Sequence, residues 1–333
     1  MGTSIETFIV ITTIYEPTEA IRKFAENSAR KVVVVSDRKT PKNWSLPYVH
    51  FLNLESQRDL GFKLSESLPF NHYCRKMLGY LFAIKSGAKI IIDTDDDNIP
   101  HEIHTFPKFN GKYNCLEENL GFVNIYQFYT KLFIWPRGLP LRHIFEKVPP
   151  ESLTRKEIKV GVWQGLADGD PDVDSIYRLT NNTECVFDKG EEIVLGYNTI
   201  SPFNSQNTAF RSDLFPLLYL PTTVSFRFTD ILRSYIAQAI MWKFGYHLGI
   251  TNANVTQNRN AHNLMEDFKS EIPMFVDSER IIIAIQKSLS KEESIETNLY
   301  CAYVELAKLK IVARNELKLL RDWLDDLTAC SEM

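Results

Sequence analysis

The 333-residue chain is short of several things that would settle its class at once. It has no apolar run of 18 residues, which leaves nothing in it to span a membrane. It has no cationic excess: 38 Lys and Arg stand against 42 Asp and Glu, a net charge of −4, so no basic field favours nucleic acid. Cysteine is sparse and unpaired by pattern. Cys74, Cys115, Cys185, Cys301 and Cys330 are odd in number, widely spaced and without a CxxC, as expected of reduced thiols in a cytoplasmic-type compartment. The opening MGTSIETFIVITTIYEP has neither a basic leader nor a small-residue cleavage site. Glu6 stands where a myristoylation motif wants Ser or Thr. Three sequons, at Asn43, Asn181 and Asn254, are weak pointers to a secretory lumen.

What is present reads as a folded α/β chain: 44% apolar and 24% charged residues. FIVITTIY and KVVVVSD are runs suited to parallel strands buried on both faces, and PYVHFLNL is a third, shorter one. Pro17 sits near a helix start, followed by the apolar set Ala20, Ile21, Phe24 and Ala25. From Asn71, residues Tyr73, Met77, Tyr80, Leu81 and Ile84 recur at helical spacing up to Gly87, and AKIIID follows as a strand. The order β-α-β-β-α-β predicts a parallel sheet with helices on its faces, binding its ligand at the carboxyl ends of the strands.

Residues 101–158 are less regular and read as an insertion. KVGVWQG, SIYRLT, ECVFD and EIVLGYNT read mostly as short strands, and DILRSYIAQAIMWKFG from Asp230 as a helix. Residues 299–328, without Pro or Gly, read as one long helical segment. The organisation expected is a domain over 1–268, made of a first half (1–100), an insertion or connection (101–158) and a second half (159–268), then a helical extension over 269–333.

The chemistry concentrates in KIIIDTDDDN, where Asp93, Asp95, Asp96 and Asp97 follow a strand that must be buried. Crowded carboxylates at such a place need a cation. A calcium loop is excluded because Asn98 stands where glycine is needed and His104 where glutamate is. A phosphatase-type nucleophile loop fits Asp93 and Asp95 but not Asp97. An Asp-x-Asp loop of a nucleotide-sugar glycosyltransferase fits best: hard oxygen ligands would hold Mn²⁺ or Mg²⁺ against a donor diphosphate.

The surrounding blocks VSDRKTPKNW, LPFNHYCRKMLGYLFAIKSGAKIIIDTDDDN, QGLADGDPDVDSIYRLT, FNSQNTAF and YLPTTVSFRFTDILRSYIAQAIMW together resemble the STELLO family of glycosyltransferase-like proteins, over roughly residues 7–268. The resemblance implies a GT-A-like fold, a Rossmann-like mixed sheet flanked by helices. It also implies a nucleotide-sugar donor, most simply UDP-linked, and leaves the acceptor (glycan, lipid or protein) open. Plant members sit in the Golgi. This chain shows no membrane anchor, so a cytoplasmic place is expected, with the Golgi lumen as the alternative.

On this pattern Asp95 and Asp97 are the metal candidates, with Asp95 and Asp96 also facing the donor. His262 is a candidate for completing the metal shell. Thr12, Asp37, Arg75 and Lys76 are expected on the donor side. Gln164, Asp168, Asp170, Asn204, Gln206, Asn207, Arg227 and Arg233 are expected on the sugar or acceptor side. Asp230, at a helix start, is the candidate general base, a helix-start carboxylate being the plainer alternative. Two other functions stay open: a sugar-nucleotide mutase, and a donor-binding scaffold without turnover.

Overall fold

The computed structural model describes residues 6–26, 29–181, 183–258 and 263–331. The chain opens with β1 (Thr7–Thr13), α1 (Glu19–Ala25), β2 (Lys31–Ser36) and β3 (Val49–Leu52). Two short helices follow, α2 (Leu54–Asp59) and α3 (Lys63–Ser67), then α4 (Lys76–Lys85) and β4 (Ile90–Thr94). Thr18 caps α1 by accepting the Ile21 N–H. Strands β1, β2, β3 and β4 pair in parallel in the order β3-β2-β1-β4.

Alternation in β1 explains why both faces of this sheet are covered. Phe8 and Val10 point into the larger core, where α4 lies; Ile9 and Ile11 point into a second core with Ile21 and Phe24 of α1. Helix α4 rests unusually close to the sheet. A Cβ at Gly79 would stand 2.6 Å from Val10 Cγ1 and 2.7 Å from Val35 Cγ2, so only glycine permits this approach. The register of α4 over β1 and β2 is thereby fixed, and with it the position of Lys76 one turn earlier.

The middle of the chain adds β5 (Asn98–Pro100), β6 (Asn110–Leu116), β7 (Gly121–Phe122), β8 (Leu153–Gly169), α5 (Ser175–Thr180), β9 (Ile193–Val194), β10 (Thr199–Ile200) and β11 (Asn207–Arg211). Then come α6 (Thr229–Lys243) and β12 (Tyr246–Gln257). The main sheet runs β3-β2-β1-β4-β11-β8-β6-β9-β12-β5, with β8 also paired to β12, while β7 and β10 form a separate ladder. It is mixed: β11 is antiparallel to both β4 and β8, and β8 is parallel to β12. This is a large mixed sheet flanked by helices, as the GT-A-like expectation holds.

Several local readings differ. KVGVWQG is part of one 17-residue strand, β8, rather than a short one. SIYRLT is the helix α5, because Asp174 caps it by accepting the Tyr177 N–H at 2.8 Å. The segment 299–328 is two helices, α8 (Ile295–Lys308) and α9 (Glu316–Ser331), interrupted where Lys310 takes a left-handed φ of 61°. Ahead of them runs the 25-residue α7 (Leu264–Ser288). Strand β6, from the stretch read as an insertion, is a member of the main sheet.

The C-terminal helices are tied back by buried carboxylates. Glu316 accepts the N–H groups of Thr222 and Thr223 at 3.0 and 2.8 Å, and Asp326 accepts those of Lys63 and Leu64 at 2.9 Å each. Among the described residues no helix is long and apolar enough to cross a membrane.

Candidate functional site

The carboxyl ends of β1, β2 and β4 open onto one cavity of about 400 Å³. Thr12 and Thr13 reach it from β1, Ser36 and Asp37 from β2, and Asp95, Asp96 and Asp97 from the loop after β4. Its opposite wall carries Arg137, Asp172, Arg227 and Asp230, and its aromatic side His72, Tyr73 and Phe226.

Beneath the acidic loop lies the positive charge that the crowding calls for. Lys76 is fully buried and donates to Asp93 Oδ1 at 2.9 Å, Asp95 Oδ1 at 2.9 Å and the Thr94 carbonyl at 2.8 Å. Arg233, also buried, donates to Asp93 Oδ2 at 2.8 Å. Asp93 is therefore neutralised from both sides by the protein itself. Burial alone would lower the Lys76 pKa, but the Asp93 and Asp95 charges raise it above the lysine range and keep it protonated. Neither Lys76 nor Arg233 lines the cavity. The donor-side and sugar-side roles expected of them give way to a foundation under the loop.

The outer carboxylates are less well compensated. Burial pushes Asp95 up to about 6 in spite of Lys76, with Asp97 adding to the push. Burial pushes Asp96 up to about 6 as well, against the stabilising hydroxyl of Thr13. Asp97 accepts from Gln257 Nε2 at 3.2 Å. Desolvated carboxylates gathered at a cavity mouth are a donor set for a hard divalent cation. Asp95 and Asp97 supply two oxygen-bearing side chains. Among the described residues no group of three or more His, Cys, Asp and Glu side chains is placed to hold a metal. His262 lies outside the described residues.

The far wall is an ion-pair network. Arg137 grips Asp230 through Nη1–Oδ1 at 3.1 Å and Nη2–Oδ2 at 2.9 Å, and its Nε donates to Asp172 Oδ1 at 2.8 Å. Asp230 Oδ2 also accepts the Ser205 N–H at 3.2 Å. The expected general base thus has both oxygens engaged in a guanidinium clamp. Arg227 pairs with buried Glu271 at 2.8 Å while still lining the cavity.

Several sequence-expected contacts are turned to internal structure instead. Arg75 lines the cavity, but its Nε donates to Gln57 Oε1 at 3.0 Å rather than to the aspartates. Asp168 accepts the Phe187 N–H at 2.9 Å and Asp170 pairs with Arg178, and neither lines the cavity. Gln164 Nε2 donates to the Gly165 and Asn207 carbonyls at 2.8 and 3.1 Å. Asn204 Nδ2 donates to Asp172 Oδ2 at 2.8 Å, and Asn207 is buried against Asn254 and His104. Only Gln206 of that amide group reaches the cavity. Sequence reasoning left out His72, Tyr73 and Phe226 from the site. In IWPRGLP, Trp135 and Arg137 suggest by residue type a stacking wall for a sugar or base, but the two part company, and only Arg137 lines the cavity. Trp135 is core, its indole N–H donating to Asp174 Oδ2 at 2.6 Å.

A family model described as STELLO glycosyltransferases matches residues 227–332. Two Arabidopsis thaliana proteins named probable glycosyltransferase STELLO1 and STELLO2 are each 30% identical to this chain over 97% of its length. Along nearly its whole length the chain is thus similar to proteins named probable glycosyltransferases. It spans 44% of the length of each of those relatives. The stretch that the STELLO model matches begins at Arg227 and takes in Asp230, Arg233 and Glu316, the residues that join the cavity wall, the acidic strand and the C-terminal helices.

Proposed function

We propose that this STELLO-like chain is a metal-dependent glycosyltransferase that moves a sugar from a nucleoside-diphosphate donor, UDP-linked, to a hydroxyl acceptor. One observation carries the reading: the half-buried carboxylates of Asp95 and Asp96, held up at about 6 even though Lys76 pairs with Asp95, sit at the mouth of a cavity formed by the ends of β1, β2 and β4. Asp95 and Asp97 would hold Mn²⁺ or Mg²⁺, with donor phosphates and water filling the remaining positions. Such a metal supplies Lewis-acid stabilisation of the departing diphosphate. Lys76 and Arg233 hold the strand end rigid. Thr13 orients Asp96, and Gln257 orients Asp97. The aromatic side of the cavity gives the donor a dry wall, and Arg227 faces the space left for sugar and acceptor.

A second reading, a donor-binding protein without transfer, is favoured by the clamp that Arg137 places on Asp230. A panel of nucleotide sugars with MnCl₂, followed by thermal shift and by release of nucleoside diphosphate, separates the two. Transfer predicts a donor-dependent rise in melting temperature and nucleotide release, both lost in Asp95→Ala and Asp97→Ala. A rise without release supports the second reading. No rise with any nucleotide sugar overturns both.

A further inference from the structure

His72 is held in one tautomer and one orientation. Asp37, just past β2, spends its carboxylate on two backbone N–H groups, that of Arg38 at 2.6 Å and that of His72 at 3.1 Å. The His72 ring nitrogen Nδ1 accepts the Cys74 N–H at 3.1 Å. A backbone amide only donates, so Nδ1 is unprotonated and the neutral ring carries its proton on Nε2. Burial lowers the His72 pKa against the pull of Asp37, which favours the neutral ring. Tyr73 stacks on it at 5.3 Å, and Phe226 leans against it at 5.2 Å. The ring lines the cavity, and among the described residues its Nε2 has no partner. The chain therefore presents a single neutral donor, fixed in direction, beside two aromatic walls.

The place suits one part of a nucleotide. β2 and β4 flank β1, so the end of β2 lies two strand spacings, about 10 Å, from the acidic loop. That is the reach of a nucleoside diphosphate from its terminal phosphate to its base. Phosphates belong beside the carboxylates with their cation; a flat heterocycle belongs against the aromatic side that His72, Tyr73 and Phe226 form together.

Resting on the nucleotide-sugar reading, we propose that His72 is a specificity-determining residue for the donor's nucleobase, its Nε2–H donating to the carbonyl oxygen of a uracil-type ring at the position where cytosine carries an amino group. Cytosine would set N–H against N–H there and be rejected by an unmade hydrogen bond.

The test titrates UDP, CDP, UMP and CMP, each with MnCl₂, into the wild-type protein, His72→Phe and His72→Gln by calorimetry. Wild type is expected to bind UDP about tenfold more tightly than CDP, the worth of one directed hydrogen bond. His72→Phe keeps the aromatic wall but should lose that preference, weakening UDP and leaving CDP within about twofold. His72→Gln, with an amide N–H at similar reach, should restore most of it. The same ratios should hold for UMP and CMP, because the contact is to the base. A purely structural role would weaken both nucleotides alike. An unchanged UDP-to-CDP ratio in His72→Phe, or no preference in wild type, overturns the assignment. Failure of wild type to bind any of the four overturns the nucleotide-sugar reading beneath it.

Discussion

Arg137 and Asp230 face one another across the cavity wall as a two-pronged ion pair, Nη1 to Oδ1 at 3.1 Å and Nη2 to Oδ2 at 2.9 Å, both side chains almost wholly buried. A general base needs an oxygen open to the acceptor hydroxyl. This carboxylate is instead held by a guanidinium that also holds Asp172. Asp230→Asn is therefore expected to cost stability, about 3 kcal/mol, by leaving buried charge poorly paired. Turnover should fall less than about tenfold, where loss of a true base costs 10²–10⁴-fold. Chemical denaturation and donor turnover on the same variant check this; a turnover loss beyond about a hundredfold at unchanged stability would restore Asp230 as the base.

Lys76 holds the acidic strand end through three oxygens while lying outside the cavity. Lys76→Met should destabilise the fold by about 3–5 kcal/mol, since Asp93 keeps only Arg233 and Asp95 loses its partner. Adding Asp93→Asn should recover part of the loss. Urea midpoints for the two single variants and the double variant test the coupling; additivity would show that the contact carries no energy.

Asp95 and Asp96 both have folded-state pKa values raised to about 6. Protonation thus favours the folded metal-free protein. Their stabilising contribution is full below the ordinary aspartate pKa of 3.8 and is lost as pH rises through about 6. Above that value both carboxylates are charged. Apparent Mn²⁺ affinity should fall at least about tenfold from pH 7 to pH 5 as protons compete for the same oxygens. Calorimetric titration across this range checks the expectation, and a flat profile would remove these carboxylates from the metal site.

Gly79 sits where a Cβ would meet Val10 and Val35 at under 3 Å. Gly79→Ala is expected to lift α4 from the sheet and cost about 1–3 kcal/mol, although alanine is the better helix former. Because Lys76 rides on the same helix, Mn²⁺ affinity should weaken as well. A variant as stable as wild type would show that the helix can move without strain.

Much of the fold was legible along the chain. KVVVVSD and AKIIID could only be buried strands, and their alternation with helical periodicity set a parallel sheet in the first hundred residues. The loop after β4 was legible as a site because four aspartates cannot follow a buried strand without compensation. SIYRLT misled because six residues are too few to show helical periodicity, and its helical start is set by the cap that Asp174 supplies. The break near Lys310 carried no Gly or Pro to announce it. Arg137 was unreadable as a clamp because its partners lie 35 and 93 residues away.

The sequence by itself determined the strand ends, the acidic loop, the need for positive charge beside it and the STELLO-like resemblance, because each rests on local pattern or on residue order. Only the tertiary structure decided which cations answer that need. Lys76 and Arg233 reach Asp93 from two different helices, leaving Asp95 and Asp96 turned to the cavity. It also decided that Asp230 is clamped, by a partner 93 residues away, and that the His72 ring, its tautomer set locally by the Cys74 N–H, faces the cavity. Periodicity says which face of an element is buried; it says nothing about which distant side chain waits there.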